Sequence, residues 1–278
     1  MMDATHAEYY EADSFWDGKA LKDPGNQRRI ETTADLIPAE VKSVLDVGCG
    51  NGIFGHHLLE VRKDIKFLGV DRSKSALRHV KFDAQVASID ALPFEDDSFD
   101  AVSCLQVIEH IPNASYRKSL EELARVARDY IIIGVPFEED LTKETTTCPQ
   151  CRTVFNIDFH MRNYDLPTVK ALFCDFGFEF ADHEFPTQKV RTKYIDDWSA
   201  ALRGRNRKTD AFRSPICPVC GYTEGDKTAL NHSPGSSSPT GRRPFYKNVV
   251  IKTLHKVLPK EAVNGYWIVA LFKRSKAS

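Results

Sequence analysis

Asp46-Val47-Gly48-Cys49-Gly50-Asn51-Gly52 sets one carboxylate directly before three alternating glycines. Glycines in such a turn allow positive φ and let a ligand approach backbone that a Cβ would otherwise shield. A second acid, Asp71, lies 21 residues beyond Gly50, matching the spacing of about 20 residues for an acid that accepts hydrogen bonds from ribose hydroxyls. Turn and acid together point to a nucleoside-bearing ligand. Further along, Glu109-His110 joins a carboxylate to an imidazole, residue types suited to moving a proton. Two Cys-x-x-Cys pairs, Cys148/Cys151 and Cys217/Cys220, have the spacing at which a tight turn aims two thiolates at one ion.

The charge of Asp46 narrows the ligand. A pyrophosphate-binding loop keeps the pattern G-x-G-x-x-G and stays free of acid. Asp46 would repel a phosphate there but attract a cationic amino group.

These residues need a scaffold, and the apolar pattern supplies one. Val44, Leu45 and Val47 read as a short buried strand, followed by a helix over 53–61. Phe67 to Val70 is a second strand ending at Asp71, and Ser73 to Val80 reads as a crossover helix. Ala84 to Ser88 and Ala101 to Val107 are the third and fourth strands. A helix capped by Asn113 or Ser115 runs to Arg128, ahead of a β-branched fifth strand, Tyr130 to Val135. Upstream, 26–37 reads as a helix ended by Pro38. Downstream come a helix over 165–176 with Gly177 as its stop, an alternating strand over 178–185, and a last strand over 266–273. Strands alternating with helices give a doubly wound, mostly parallel, seven-stranded Rossmann-like α/β sheet. The last strand is expected to pair antiparallel at a sheet edge, with 186–265 inserted before it. The expected units are 1–42 as an N-terminal lid and helix, 43–185 as the ligand-binding domain, 186–265 as a basic insertion, and 266–278 as the final strand and tail. The aromatics Tyr9, Tyr10, Phe15 and Trp16 either fold over the ligand or pack on the core.

At 278 residues the chain can bury a substantial core, and its formal charge of −1 gives no global pull toward nucleic acid or membrane. Charge is nevertheless uneven: between Pro186 and Lys256 stand fourteen Lys and Arg against five acids, or +9, leaving −10 elsewhere. A basic lobe on an acidic domain suits an anionic acceptor. Asn231 to Pro244, rich in Ser, Pro and Gly, reads as a mobile loop. No apolar run reaches the ~18 residues of a membrane span, and the first ten residues lack the order of a signal peptide, so a cytoplasmic location is expected. Seven cysteines, four of them in Cys-x-x-Cys pairs, suit a reduced compartment; Cys49, Cys104 and Cys174 read as buried.

The chain resembles the class I S-adenosylmethionine-dependent methyltransferases. The resemblance rests on Val44 to Gly52, on Asp71, on Ile89-Asp90-Ala91-Leu92-Pro93-Phe94, on Ser98-Phe99-Asp100, and on Val107-Ile108-Glu109-His110-Ile111. It covers Val44 to about Val135 in motif detail, and the rest to the final strand in topology. It implies S-adenosylmethionine as cofactor, with Asp46, Gly48, Cys49, Gly50 and Gly52 in its loop. It further implies Asp71 and Arg72 at the ribose side, Asp90 at the adenine amino group, Ala91 beside the ring, and Gln106 near the methionine moiety. Fold does not fix function, so a nicotinamide dehydrogenase and a non-catalytic cofactor-binding protein stay as rivals. For the reaction, His110 with Glu109 is the candidate base beside a hydroxyl acceptor. The four cysteines are read as one structural zinc site; the competing readings are free cysteines, or a site that recruits His160 or His183. The expected acceptor is a small or medium-sized molecule methylated at oxygen, such as a glycan, a nucleotide-linked sugar or a secondary metabolite. An RNA methyltransferase using the basic insertion is the alternative.

Overall fold

The structure, a computed structural model, describes residues 10–11, 16, 24–142, 145–187, 217, 220 and 265–275, with the backbone of 189–192 and 260–263. Helix α1 (Pro24–Asp35) precedes β1 (Ser43–Val47), α2 (Ile53–Val61), β2 (Lys66–Asp71), α3 (Lys74–Leu77) and β3 (Ala84–Val86). β4 (Phe99–Leu105), α4 (Asn113–Val126) and β5 (Ala127–Pro136) follow. A small hairpin, β6 (Thr145–Thr147) and β7 (Val154–Asn156), leads to α5 (Leu166–Ala171) and β8 (Phe178–Glu184). β9 (Lys189–Thr192) and β10 (Lys260–Val263) pair antiparallel, and β11 (Trp267–Arg274) ends the order.

Seven strands form one sheet in the order β3-β2-β1-β4-β5-β11-β8. Pairing is parallel from β3 to β5, and β11 runs antiparallel to both neighbours. The expected edge position of the last strand is therefore wrong: β8 is the edge and β11 lies inside. Burial explains the order, because Ile268, Val269, Ala270 and Phe272 are all fully buried. A strand apolar on both faces is covered on both faces, and pairing with β5 on one side and β8 on the other sets β11 inside the sheet.

Alternate side chains of each strand feed two cores. Leu45, Val47, Ile131, Ile133 and Val135 join Leu120, Leu123 and Ala124 of α4 on one face. Val44, Tyr130 and Ile132 join Ala34 of α1 and Phe54 and Leu58 of α2 on the other. Each fully buried Leu or Ile contributes about 1.5–3 kcal/mol, and the two layers hold the strand ends in register for the site.

Several boundaries differ from the sequence reading. The helix over 73–80 is only Lys74–Leu77, started by Ser73, whose hydroxyl accepts from the Ala76 N–H. The residue at the start of α4 is Pro112, with no side-chain cap, so neither Asn113 nor Ser115 plays that part. Helix α4 stops at Val126 because Ala127 is already extended (φ −82°, ψ 126°) and begins β5. β4 ends at Leu105, short of Val107, because Gln106 takes φ 58°. Cys174 is exposed rather than buried, while Cys49 and Cys104 are buried as expected. Tyr9, Phe15, the 231–244 loop and the basic residues between β9 and β10 lie outside the described residues.

Candidate active site

Strand order reverses between β1 and β4, and in open α/β sheets the crevice outside the carboxyl ends at such a point takes the ligand. β1 delivers Asp46 and the glycine turn there. Gly48 has φ +76°, and an added Cβ would stand 2.3 Å from Val107 Cγ2. Gly50 has φ +55°, and its Cβ would meet the Trp16 ring at 2.8 Å. Asp46 is 2% exposed and accepts a 2.7 Å hydrogen bond from Ser103 Oγ of β4. Burial pushes its carboxyl up to about 7; the Ser103 bond opposes this and the nearby Asp71 adds to it. A positive charge placed beside this buried carboxyl would favour its ionised form.

Asp71 ends β2 and braces the turn. Its two oxygens accept from the Gly50 and Ser73 N–H groups, each at 2.8 Å. Burial raises its pKa against those bonds. Asp90 accepts from Ser88 Oγ, and Ala91 donates to the Ser88 carbonyl at 3.1 Å, so both sit in one tight turn beyond β3. Cys49 is buried against Gly69. Tyr10 and Trp16 lie over this crevice: Trp16 Nε1 and Ser73 Oγ both donate to the Tyr10 carbonyl at 2.7 Å. The Arg72 guanidinium stands 5.5 Å from the Tyr10 ring centre. Glu11 accepts from the Lys74 and Ser75 N–H groups.

Beyond β4, the positive φ of Gln106 redirects the chain into a 3-10 turn, Ile108–His110. Gln106 Oε1 accepts from Trp267 Nε1 at 2.9 Å, while its Nε2 is buried with no hydrogen-bond partner among the described residues. Glu109 is fully buried with both carboxylate oxygens likewise unpartnered. Burial pushes its pKa up to about 7, with His160 working against the rise. One atom each from Glu109, His110 and His160 lie within 4.8 Å of one another. His160 Nδ1 stands 2.5 Å from Glu139 Oε2, and Tyr266 OH donates to Glu139 Oε1 at 2.9 Å.

The four cysteines form a separate cluster, again within 4.8 Å. Cys148 and Cys220 sulfurs are 3.6 Å apart, and those of Cys151 and Cys217 3.4 Å. Zn–S bonds of about 2.3 Å in a tetrahedron place sulfurs about 3.8 Å apart, so the donor set fits zinc. The Cys151 N–H points at Cys148 Sγ, 3.5 Å away. Hydrogen bonding with Thr153 brings the Cys151 thiol down to about 6, toward the thiolate a metal requires.

Sequence reasoning brought together Asp46, the glycines and Asp71, and all meet here. It missed Ser103, Glu139 and Tyr266 altogether, and considered His160 only as a zinc ligand. Fifty residues separate His160 from His110, no local pattern links them, and His160 groups with Glu109 and His110 rather than with the sulfurs. His183 packs among the Phe180 and Phe185 rings.

Residues 44–129 match the family described as a methyltransferase domain. An uncharacterized protein of Methanocaldococcus jannaschii is 35% identical over 121 residues, 42% of this chain and 48% of its own length. A ubiquinone biosynthesis O-methyltransferase of Ralstonia nicotianae is 33% identical over 98 residues, 32% of this chain and 40% of its own. The chain thus spans about half or less of the curated relatives it matches. A chain of a solved complex of the Haloferax volcanii Trm112 methyltransferase activator with its partner shares the fold at TM-score 0.52 and 14% identity, over 99% of both chains. The [4+2]-cyclase SpnF shares it at TM-score 0.56 and 12% identity, over 99% of this chain and 97% of that one. No helix among the described residues is long and apolar enough to cross a membrane.

Proposed function

We propose that the chain, whose sheet has a Rossmann-like order and whose residues 44–129 match the methyltransferase-domain family, transfers a methyl group from S-adenosylmethionine to an oxygen of a small or medium-sized acceptor. One observation carries the choice of cofactor: a buried acid, Asp46, stands at the head of the glycine turn. It disfavours a phosphate and favours the ammonium of a methionine moiety. The cofactor supplies a methyl group already activated on a sulfonium. The chain's own residues bind and align. Asp71, set at the turn by two backbone N–H bonds, is assigned to the ribose, with Arg72 beside it. Asp90 and Ala91 are assigned to the adenine. Gln106 Nε2, without a hydrogen-bond partner among the described residues, is a donor that a methionine carboxylate would satisfy. Gly48, Cys49, Gly50 and Gly52 keep the turn low enough for the ligand to approach.

Alignment at close range supplies much of the rate in such a transfer, and a hydroxyl acceptor also needs a proton acceptor nearby. His110, with Glu109, is assigned that part at the end of β4. The O-methyltransferase names of matched relatives support oxygen as the acceptor atom, and the basic stretch between β9 and β10 suits an anionic glycan, nucleotide-linked sugar or metabolite. We assign 186–265 as an insertion joined to the sheet domain by a structural zinc on Cys148, Cys151, Cys217 and Cys220.

A second reading of the acceptor side rests on Glu109, whose fully buried carboxylate has no hydrogen-bond partner among the described residues. Two imidazoles and a carboxylate within 4.8 Å are a donor set for a divalent cation. Calorimetric titration with Mn2+ alone separates the readings: a binding heat that Glu109→Gln abolishes favours the cation. The proposed reaction is tested by tritiated-methyl transfer into fractionated cell extract. Label entering a small, protease- and nuclease-resistant fraction supports it. Label in RNA favours the RNA rival, and no label with cofactor bound favours a non-catalytic protein.

A further inference from the structure

His160 reaches Glu109 and His110 on an excursion that the sheet does not need. The chain leaves β5 at Pro136, turns through the β6–β7 hairpin, and returns at Tyr164. Its ends are tied, since the Glu138 N–H donates to the Tyr164 carbonyl at 2.8 Å. Cys148 and Cys151 occupy the tip of the hairpin, between β6 and β7. Cys217 and Cys220 come from more than sixty residues downstream and meet them there.

Two contacts join that hairpin to His160. Asn156, the last residue of β7, accepts through Oδ1 from the N–H groups of Asp158 at 2.9 Å and His160 at 3.3 Å. The Phe155 ring stacks on Phe159 with centroids 6.0 Å apart and planes 3° from parallel. Phe159 is buried and has φ 60°, a left-handed backbone that a bulky residue adopts only when its surroundings impose it. That turn sets the direction of the next side chain, His160. The far side is fixed as well: the Met161 N–H donates to the Glu109 carbonyl at 2.9 Å, and Glu139, braced by Tyr266, holds the imidazole.

We propose that the four-cysteine clasp is a positioning device for the acceptor side: metal held by Cys148, Cys151, Cys217 and Cys220 fixes the hairpin, and the hairpin fixes His160 against Glu109 and His110 through Phe155, Asn156 and Phe159. This rests on the zinc assignment made above. A metal on a loop tip adds a covalent-strength restraint where the two short strands, three residues each, cannot stand alone. His160 is a positioning residue here, and the clasp acts through it on the cluster at the end of β4.

The test uses the full chain with 15N-labelled histidine and its metal content measured by atomic emission. The zinc-loaded protein is expected to show a slowly exchanging imidazole N–H proton, assigned to His160 by its loss in His160→Gln and to the carboxylate contact by its loss in Glu139→Gln. Removing zinc with a chelator, or by Cys217→Ser with Cys220→Ser, abolishes that signal while S-adenosylmethionine affinity is unchanged. Phe155→Ala is the second variant, for the case in which metal removal unfolds the protein. It keeps all four cysteines and full zinc content, and is expected to lose the His160 signal. Protein that binds zinc but keeps the signal after metal removal overturns the coupling and leaves the zinc assignment standing. Retention of the signal in Phe155→Ala also overturns the coupling. Protein purified with no zinc, its His160 signal present, overturns both.

Discussion

Asp46→Asn separates stability from binding in a way that few substitutions do. Asp46 is 2% exposed, and its carboxyl rises from 3.8 to about 7, chiefly by burial. A folded-state pKa above the unfolded value means that ionisation opposes folding. The penalty is absent below about pH 4, grows as pH rises from there to about 7, and is complete above. At 1.36 kcal/mol per unit, it reaches about 4 kcal/mol as an upper bound. Asparagine cannot ionise, and its carbonyl still accepts the Ser103 hydrogen bond. The ligand-free variant is therefore expected to unfold several degrees higher than the parent at pH 8 and at the same temperature near pH 4. Binding moves the opposite way. Losing a charge-assisted hydrogen bond of about 1.5–3 kcal/mol weakens S-adenosylmethionine affinity roughly 10- to 150-fold. Parental affinity should rise with pH up to about 7 as Asp46 ionises, then fall as an α-amino group of pKa about 7.7–8.0 loses its proton; the variant loses the acid limb only. Thermal scans from about pH 4 to 8 and calorimetric titrations from about pH 5.5 to 9 read the two effects. A variant less stable than the parent at pH 8, or one that binds the cofactor with parental affinity, refutes the reasoning.

Three further outcomes follow from the geometry. Gly48→Ala places a Cβ 2.3 Å from Val107 Cγ2 at φ +76° and should destabilise by about 1–3 kcal/mol, read as a lower urea midpoint with unchanged slope. Asp71→Ala leaves the Gly50 and Ser73 N–H groups without their acceptor; cofactor affinity should fall at least about tenfold, as measured by calorimetry. One zinc per chain is expected by atomic emission, and chelation should lower the melting temperature; a metal-free protein with an unchanged melting temperature would remove the site.

The sheet was legible because its inner parallel strands are covered on both faces and read as mainly apolar runs: Val44, Leu45 and Val47 in β1, Phe67 to Val70 in β2, and Tyr130 to Val135 in β5. The cofactor side was legible for a related reason, since Asp46, the glycines and Asp71 lie on consecutive elements and their spacing is local. Strand order beyond β5 was not, because β11 is interior through its pairing with both β5 and β8, a tertiary fact that the apolar run Ile268 to Phe272 does not carry. Gln106 hid the end of β4, since no propensity rule gives a glutamine φ 58°. The cluster around Glu109 was least legible. Glu139 and His160 stand near the two ends of the excursion after β5 and Tyr266 just before β11, and only the fold of that excursion and the position of β11 bring them together beside Glu109.

The central claim is that the crevice above the glycine turn takes a cationic, phosphate-free nucleoside cofactor. Calorimetric titration of the folded chain with S-adenosylmethionine, alongside a nicotinamide dinucleotide, tests it most directly. One molecule of S-adenosylmethionine bound per chain, weakened in Asp46→Asn, with no heat from the dinucleotide, is the predicted result. Binding of the dinucleotide instead, or no heat from either in a protein shown to be folded, would contradict it.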